Sequence, residues 1–320
     1  MKKIGLALSG GFARGIAHIG VLKVLERNKI PINCVAGTSM GSVVGAFYAS
    51  GFKASKIESI TYDTKYKNLF DFILPKKGLV DGKKIENFFN NIIGNKQFSE
   101  LKKPFAAIAT NLTTGKRRIF DSGSVSKALR ASISYPVVFS PIKIGKYVYV
   151  DGGLVDPIPI DAVEKMECSK IIGSDVSAAG MEMKHPKDLP KPKPKKGSFA
   201  SEIKDTFIEM EIDSFNNYMD KKKMKLSFLL KWLLKPKRIK KFLGHKKFNP
   251  PDILKIMMDS VYVMSREVRR LSLENRKADV MIKPRLKGVG IFDFDKIEYL
   301  IKQGEKATEK ALPKIKKLLN

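Results

Sequence analysis

At 320 residues the chain can bury a full hydrophobic core, with room for one domain and an insertion. It carries 61 Lys and Arg against 32 Asp and Glu, a net charge of +29 that requires a polyanionic partner or tolerance of one, although a lysine excess can equally reflect genome composition. No stretch approaches the ~20 apolar residues of a membrane span. With 50 Lys to 11 Arg and no nucleic-acid fold signature, nucleic acid is not an expected partner.

The first predicted element is a strand, Ile4-Gly5-Leu6-Ala7-Leu8. Met1-Lys2-Lys3 mimics the start of a secretion signal, but the apolar run breaks at Ser9-Gly10-Gly11, too early for one. The loop Ser9-Gly10-Gly11-Phe12-Ala13-Arg14-Gly15 exposes consecutive N–H groups, a ready anion site. A helix is predicted over 16–28 from the spacing of Ile16, Ile19, Val21, Leu22 and Leu25. Gly10, Gly11 and Gly15 do not give G-x-G-x-x-G, which argues against a dinucleotide site. The same donors suit an oxyanion hole.

Asn33 to Ala36 reads as a second strand and Ser42 to Ala49 as a helix, with Gly37-Thr38-Ser39-Met40-Gly41 between them. In that context G-x-S-x-G forms a nucleophile elbow. Gly37 and Gly41 leave room for a strained turn, and the Ser39 hydroxyl emerges at the positive end of a helix. The motif alone leaves open that Ser39 merely caps that helix. Val148-Tyr149-Val150-Asp151-Gly152-Gly153 then delivers a carboxylate into a turn, either as a base for Ser39 or simply as good turn chemistry.

The chain holds three histidines, His18, His185 and His245. The last two follow Asp151 but lie in a lysine-rich stretch, and His18, on the first helix, is expected to be structural. A Ser39–Asp151 dyad is therefore favoured over a triad. Cys34 and Cys168 flank apolar segments and are expected as core thiols, compatible with a reducing cytoplasm. No acidic or Cys/His spacing suggests calcium or zinc, so neither metal nor cofactor is expected.

Beyond residue 180 the composition shifts. Residues 184–197 alternate Lys and Pro and read as an extended linker. Residues 221–247 hold 12 Lys and Arg and no acid. As a helix, Lys223, Ser227, Lys231 and Lys235 form one polar stripe among Leu, Phe and Trp232. That pattern suits membrane contact through Lys231, Trp232, Lys237 and Arg238, or a lid over the active-site cleft.

Four motifs in order now carry a resemblance. They are Gly10-Gly11-Phe12-Ala13-Arg14-Gly15 with Ala17-His18-Ile19-Gly20; Gly37-Thr38-Ser39-Met40-Gly41; Ala131-Ser132-Ile133-Ser134-Tyr135-Pro136-Val137-Val138-Phe139-Ser140-Pro141; and Asp151-Gly152-Gly153. Ala278 to Pro284 and Phe292-Asp293-Phe294 resemble the end of the same domain. The chain resembles the bacterial patatin-like phospholipases. That resemblance implies a three-layer α/β/α core with a mostly parallel sheet, formed by residues 1–180 and 251–320 around a basic insertion at 181–250. It implies a serine lipid acyl hydrolase of phospholipase or lysophospholipase type, with Ser39 as nucleophile and Asp151 as base. Gly10, Gly11 and Phe12 would form the oxyanion hole, and Arg14, Gly15, Gly37, Gly41, Gly152 and Gly153 would support it. The family loop usually carries a third glycine where this chain has Phe12, whose amide suits the hole only at negative φ. Expected partners are a lipid or lysolipid substrate and an anionic membrane, at the cytoplasmic face. An acyl thioesterase and a non-catalytic lipid-binding adaptor are the alternatives.

Overall fold

The structure, a computed structural model, describes residues 2–69, 80–177 and 252–319. The insertion at 181–250, with Lys231, Trp232, Lys237, Arg238, His185 and His245, lies outside the described residues.

Eight strands form one mixed sheet: β1 (Ile4–Leu8), β2 (Cys34–Thr38), β3 (Phe105–Asn111), β4 (Arg117–Phe120), β5 (Ile142–Ile144), β6 (Tyr147–Asp151), β7 (Lys170–Ser174) and β8 (Val280–Ile282). The order is β5-β6-β3-β2-β1-β7-β8, with β4 also on β3. β2, β1, β7 and β8 are joined in parallel, as are β2 and β3, while β4, β5 and β6 enter antiparallel. The central strands are buried along their whole length, as both-face coverage demands. Alternate side chains point to two cores. Leu6, Leu8, Val35, Phe105 and Ala107 meet the larger helical layer, and Ala7, Cys34, Ala36, Ala106 and Ile108 meet Ile160 and Val163 on the other face.

On the larger face lie α1 (Ala17–Arg27), α2 (Met40–Ala49), α3 (Ala54–Asp63), α5 (Lys83–Ile93) and α6 (Val125–Ser132), with the short α4 (Tyr66–Leu69) between α3 and α5. α7 (Ile160–Glu164) covers the other face, joined there by Leu273 near the end of α8 (Asp252–Asn275). α9 (Ile297–Lys316) packs on α1 through bare backbone. A Cβ on Gly20 would lie 2.0 Å from the Ile301 carbonyl oxygen, and one on Gly304 2.0 Å from that of Ala17. Among the described residues no helix is long and apolar enough to cross a membrane.

One expectation fails. Cys34 and Cys168, read as separate core thiols, are joined as a disulfide with Cα atoms 6.8 Å apart. The reason is Gly5 on β1, the strand between them. A Cβ there would meet Cys34 Sγ and Cys168 Cβ at 2.8 Å, so only glycine lets the two side chains meet across β1. Disulfides are rare in reducing compartments, so the cysteines no longer argue for the cytoplasm.

Candidate active site

Strand β3 brings the two halves of the site together. β2 pairs along one edge of β3 as far as Thr38↔Ile108, and β6 takes over the same edge at Asp151↔Ala109. β4 fills the opposite edge from Ala107 to Thr110. Ser39, the residue after Thr38, therefore meets Asp151, the last residue of β6, end to end.

Ser39 itself carries the strain of the elbow, with φ 53° and ψ −126°, a conformation that costs a non-glycine residue about 1–3 kcal/mol. Its surroundings hold it there. The Ser39 amide donates to Ser132 Oγ at 2.8 Å, and its carbonyl accepts from Ser42 N at 2.8 Å and Ser42 Oγ at 2.6 Å. The flanking glycines permit close approach. A Cβ on Gly37 would lie 2.4 Å from Gly41 O, and one on Gly41 2.4 Å from Leu8 O. Gly15 lies bare against Met40, and Gly152 against the Ile108 carbonyl.

Asp151 is buried, with 2% of its surface exposed. Its Oδ1 accepts from Gly153 N at 2.7 Å. Its Oδ2, also buried, has no partner in full hydrogen-bond geometry. Burial pushes the carboxyl up to about 7, while the Ser39 hydroxyl and the Gly153 amide pull the other way. The backbone is fixed on both sides, by Thr110 Oγ1 donating to Asp151 O at 2.8 Å and Asp151 N donating to Ser134 O at 2.9 Å. A base with a pKa near neutrality and one free oxygen toward a serine hydroxyl is equipped to take its proton.

The glycine loop runs beside Ser39, and a Cβ on Gly10 would come within 3.2 Å of Ser39 Cβ. Its amides are not equivalent. Gly10 N donates to Pro157 O at 3.2 Å, so it is already engaged and is not the free donor expected of it. Among the described residues the amides of Gly11 and Phe12 carry no hydrogen bond. Phe12 adopts φ 51°, so the negative φ on which its amide was expected to serve the hole is not met. Its ring is held edge-on between Tyr135 at 4.9 Å and Phe292 at 5.4 Å, contacts of about 0.5–1.5 kcal/mol each that offset the strain.

Arg14 and His18 are both scaffold. Arg14 is 3% exposed and both its Nε and Nη2 donate to Val289 O, at 3.0 and 2.8 Å, so it pins the 286–293 segment over the loop. His18 is fully buried, which lowers its pKa to about 4 and keeps it neutral. It bridges Ser9 O and Ser174 Oγ at 2.9 Å each, so both ring nitrogens are engaged away from Ser39.

A carboxylate network that the sequence reading missed sits behind Asp151. Arg117 of β4 reaches Asp156 at 2.5 Å and Asp161 at 2.5 Å, and Arg276 reaches Asp161 at 2.9 Å. Asp156 ties three parts of the site. Its carbonyl accepts from Thr38 Oγ1 at 2.8 Å, its amide donates to Gly152 O at 2.9 Å, and its neighbour Pro157 holds Gly10. Burial raises the Asp156 carboxyl to about 6 even against Arg117. Arg117→Gln should therefore loosen the elbow, base and glycine loop together. Breaking a buried pair costs about 3–5 kcal/mol; the Arg117 side chain keeps 21% exposure, so about 2 kcal/mol is expected from urea unfolding, with a lower kcat on a soluble ester. An unchanged midpoint and kcat would show the network to be dispensable.

Ser39 opens onto an apolar cavity walled by Ile16, Val43, Phe47, Ile57, Phe88 and Phe139. Met40, Val43, Val44 and Phe47 line it along one stripe of α2, so it extends roughly 12 Å from Ser39 at ~1.5 Å per helical residue. The threonines in its wall turn their hydroxyls away, Thr61 to Ile57 O at 2.8 Å and Thr64 to Ile60 O at 2.6 Å. Among the described residues no group of three His, Cys, Asp or Glu stands where it could hold a metal ion.

Residues 6–163 match the patatin-like phospholipase family. They form a patatin-like phospholipase domain. An uncharacterized NTE family protein of Mycobacterium bovis is 37% identical over 161 residues, 49% of this chain and 44% of that protein. A lysophospholipase, NTE1 of Scheffersomyces stipitis, is 30% identical over 184 residues, 56% of this chain and 12% of that one. The chain thus spans under half the length of these relatives. The crystal structure of VipD from Legionella pneumophila superposes with a TM-score of 0.58 at 15% identity, over 98% of this chain and 67% of that one, a likeness of fold.

Proposed function

We propose that this chain is a serine acyl hydrolase acting on membrane-derived lipid esters, lysophospholipids foremost. The observation that carries this reading is a strained serine facing a buried carboxylate at the mouth of an apolar cavity. The acyl chain enters the cavity along α2. Ser39 Oγ attacks the ester carbonyl while its proton passes to Asp151 Oδ2. The tetrahedral oxyanion accepts from the Gly11 amide, such a donor contributing about 3–4 kcal/mol. Collapse breaks the bond to the glycerol oxygen, which leaves with the proton from Asp151. Water then attacks the acyl-Ser39 ester, Asp151 takes its proton and returns it to Ser39 Oγ, and the free fatty acid departs.

The cavity accounts for the acyl half of the substrate, and a name borne by the yeast relative, lysophospholipase, suggests the other half. The test is mass-spectrometric profiling of a membrane-lipid extract, with acyl-CoA assayed beside it. Release of fatty acid from lysophospholipid is the expected result. Turnover of acyl-CoA alone would move the assignment to a thioesterase.

A further inference from the structure

Two hairpin tips rise from the sheet on the side where Ser39 emerges. β3 continues past the catalytic level, Ala109↔Asp151, to turn at Leu112–Lys116 and return as β4. β5 and β6 are joined by Gly145-Lys146, with Gly145 at φ 60° in a two-residue turn. The tips touch, since Leu112 N donates to Val148 O at 2.8 Å and Val148 N to Thr113 Oγ1 at 3.1 Å. Leu112 lies three residues beyond Ala109, so the tips stand roughly 10 Å past the Ser39–Asp151 level.

Their composition is one-sided. The β3–β4 hairpin, 105–120, contains no acid, and in the β5–β6 hairpin the one acid is the buried Asp151 at the far end of β6 from the tip. Lys116, Arg118, Lys143 and Lys146 are exposed, and among the described residues none of them makes an ion pair. Within this collar Leu112 is 56% exposed, and Tyr147 is half-buried beneath the Lys146 ammonium, 5.3 Å from its ring. At the opposite end of the sheet Lys3 pairs with Glu167 and Lys170 with Asp279, while Lys103 donates to Ile32 O. An exposed leucine and a tyrosine among unpaired cations have the chemistry that suits an anionic bilayer surface.

We infer that the two tips are the surface by which this protein docks on an anionic membrane, with the site mouth turned toward the lipid. The inference rests on the lipid-ester reading for its orientation and is separate from any contact made by residues 181–250. It is tested with vesicles of equimolar phosphatidylcholine and phosphatidylglycerol, using the Ser39→Ala protein so that no lipid is consumed. An environment-sensitive dye on Leu112→Cys should shift blue on vesicles, and the same dye on the exposed Lys165→Cys should not. Lys116→Gln, Lys143→Gln and Lys146→Gln together should weaken sedimentation roughly a hundredfold at low salt and far less at high salt. Three outcomes would overturn it: a parent that ignores these vesicles, a dye on Leu112→Cys that stays in water while the protein sediments, or triple-variant binding equal to the parent's. Soluble-ester turnover by the triple variant with Ser39 intact keeps the two readings apart. Turnover without vesicle binding leaves the hydrolase reading standing, and binding without turnover leaves the docking surface standing.

Discussion

Ser39→Ala is expected to lower ester turnover on the order of a millionfold, the scale seen when a hydrolase loses its nucleophile. A fluorophosphonate probe should label Ser39 in the parent and nothing in the variant. The fold should persist, because the contacts that hold the elbow belong to the Ser39 backbone, through Ser132 and Ser42, and not to its hydroxyl. One change should reach Asp151. Without the Ser39 hydroxyl its carboxyl loses one of the two donors that pull its pKa down, so it should titrate higher than in the parent. Turnover at parental rate in Ser39→Ala would remove the acyl-enzyme mechanism altogether.

The elbow was legible because its information is local. Strand, glycine, serine, glycine and helix follow one another in the chain, and the structure keeps them as β2, Ser39 and α2. The alternation on β1 to β3 was likewise open to reading, since a period of two divides each strand between two cores. What sequence could not supply is the meeting of Ser39 and Asp151. That depends on β2 ending and β6 beginning on the same edge of β3, a register between strands far apart in the chain. The engaged Gly10 amide was hidden for the same reason, because its acceptor is Pro157. Ser132 was in view inside a motif, yet nothing local marks a serine that receives an amide 93 positions away. The Arg117 network left one faint signal, an arginine on a strand and two acids, Asp156 and Asp161, close after the Asp-Gly-Gly turn. The cysteine error has a similar origin. Only knowledge that β1 runs between β2 and β7, with a glycine at the crossing, brings Cys34 and Cys168 together.

Asp151→Asn is expected to separate activity from stability. Asn can keep the turn, since its Oδ1 can accept from Gly153 N as the carboxylate does, but it cannot accept the Ser39 proton. Turnover should fall by about 10²–10⁴-fold. In the parent, kcat/KM should climb with pH, reach half its plateau near 7, where burial has placed the Asp151 carboxyl, and level off above it. Stability should run the other way. Between the ordinary value of 3.8 and about 7 the folded state holds a proton that the unfolded chain has lost. The Asp151 contribution is thus complete below pH 3.8 and is lost as pH rises through 7. That rise in pKa corresponds to about 4 kcal/mol at most. His18, lowered to about 4 by burial, works in the opposite sense between pH 6.5 and 4, but equally in both proteins, so it cancels in their difference. Asp151→Asn should therefore match the parent near pH 4 and exceed it by a few kcal/mol at pH 8, read from urea unfolding at each pH. A stability difference that stays flat with pH would show that Asp151 ionises freely in the folded protein and is not held near neutrality as a base.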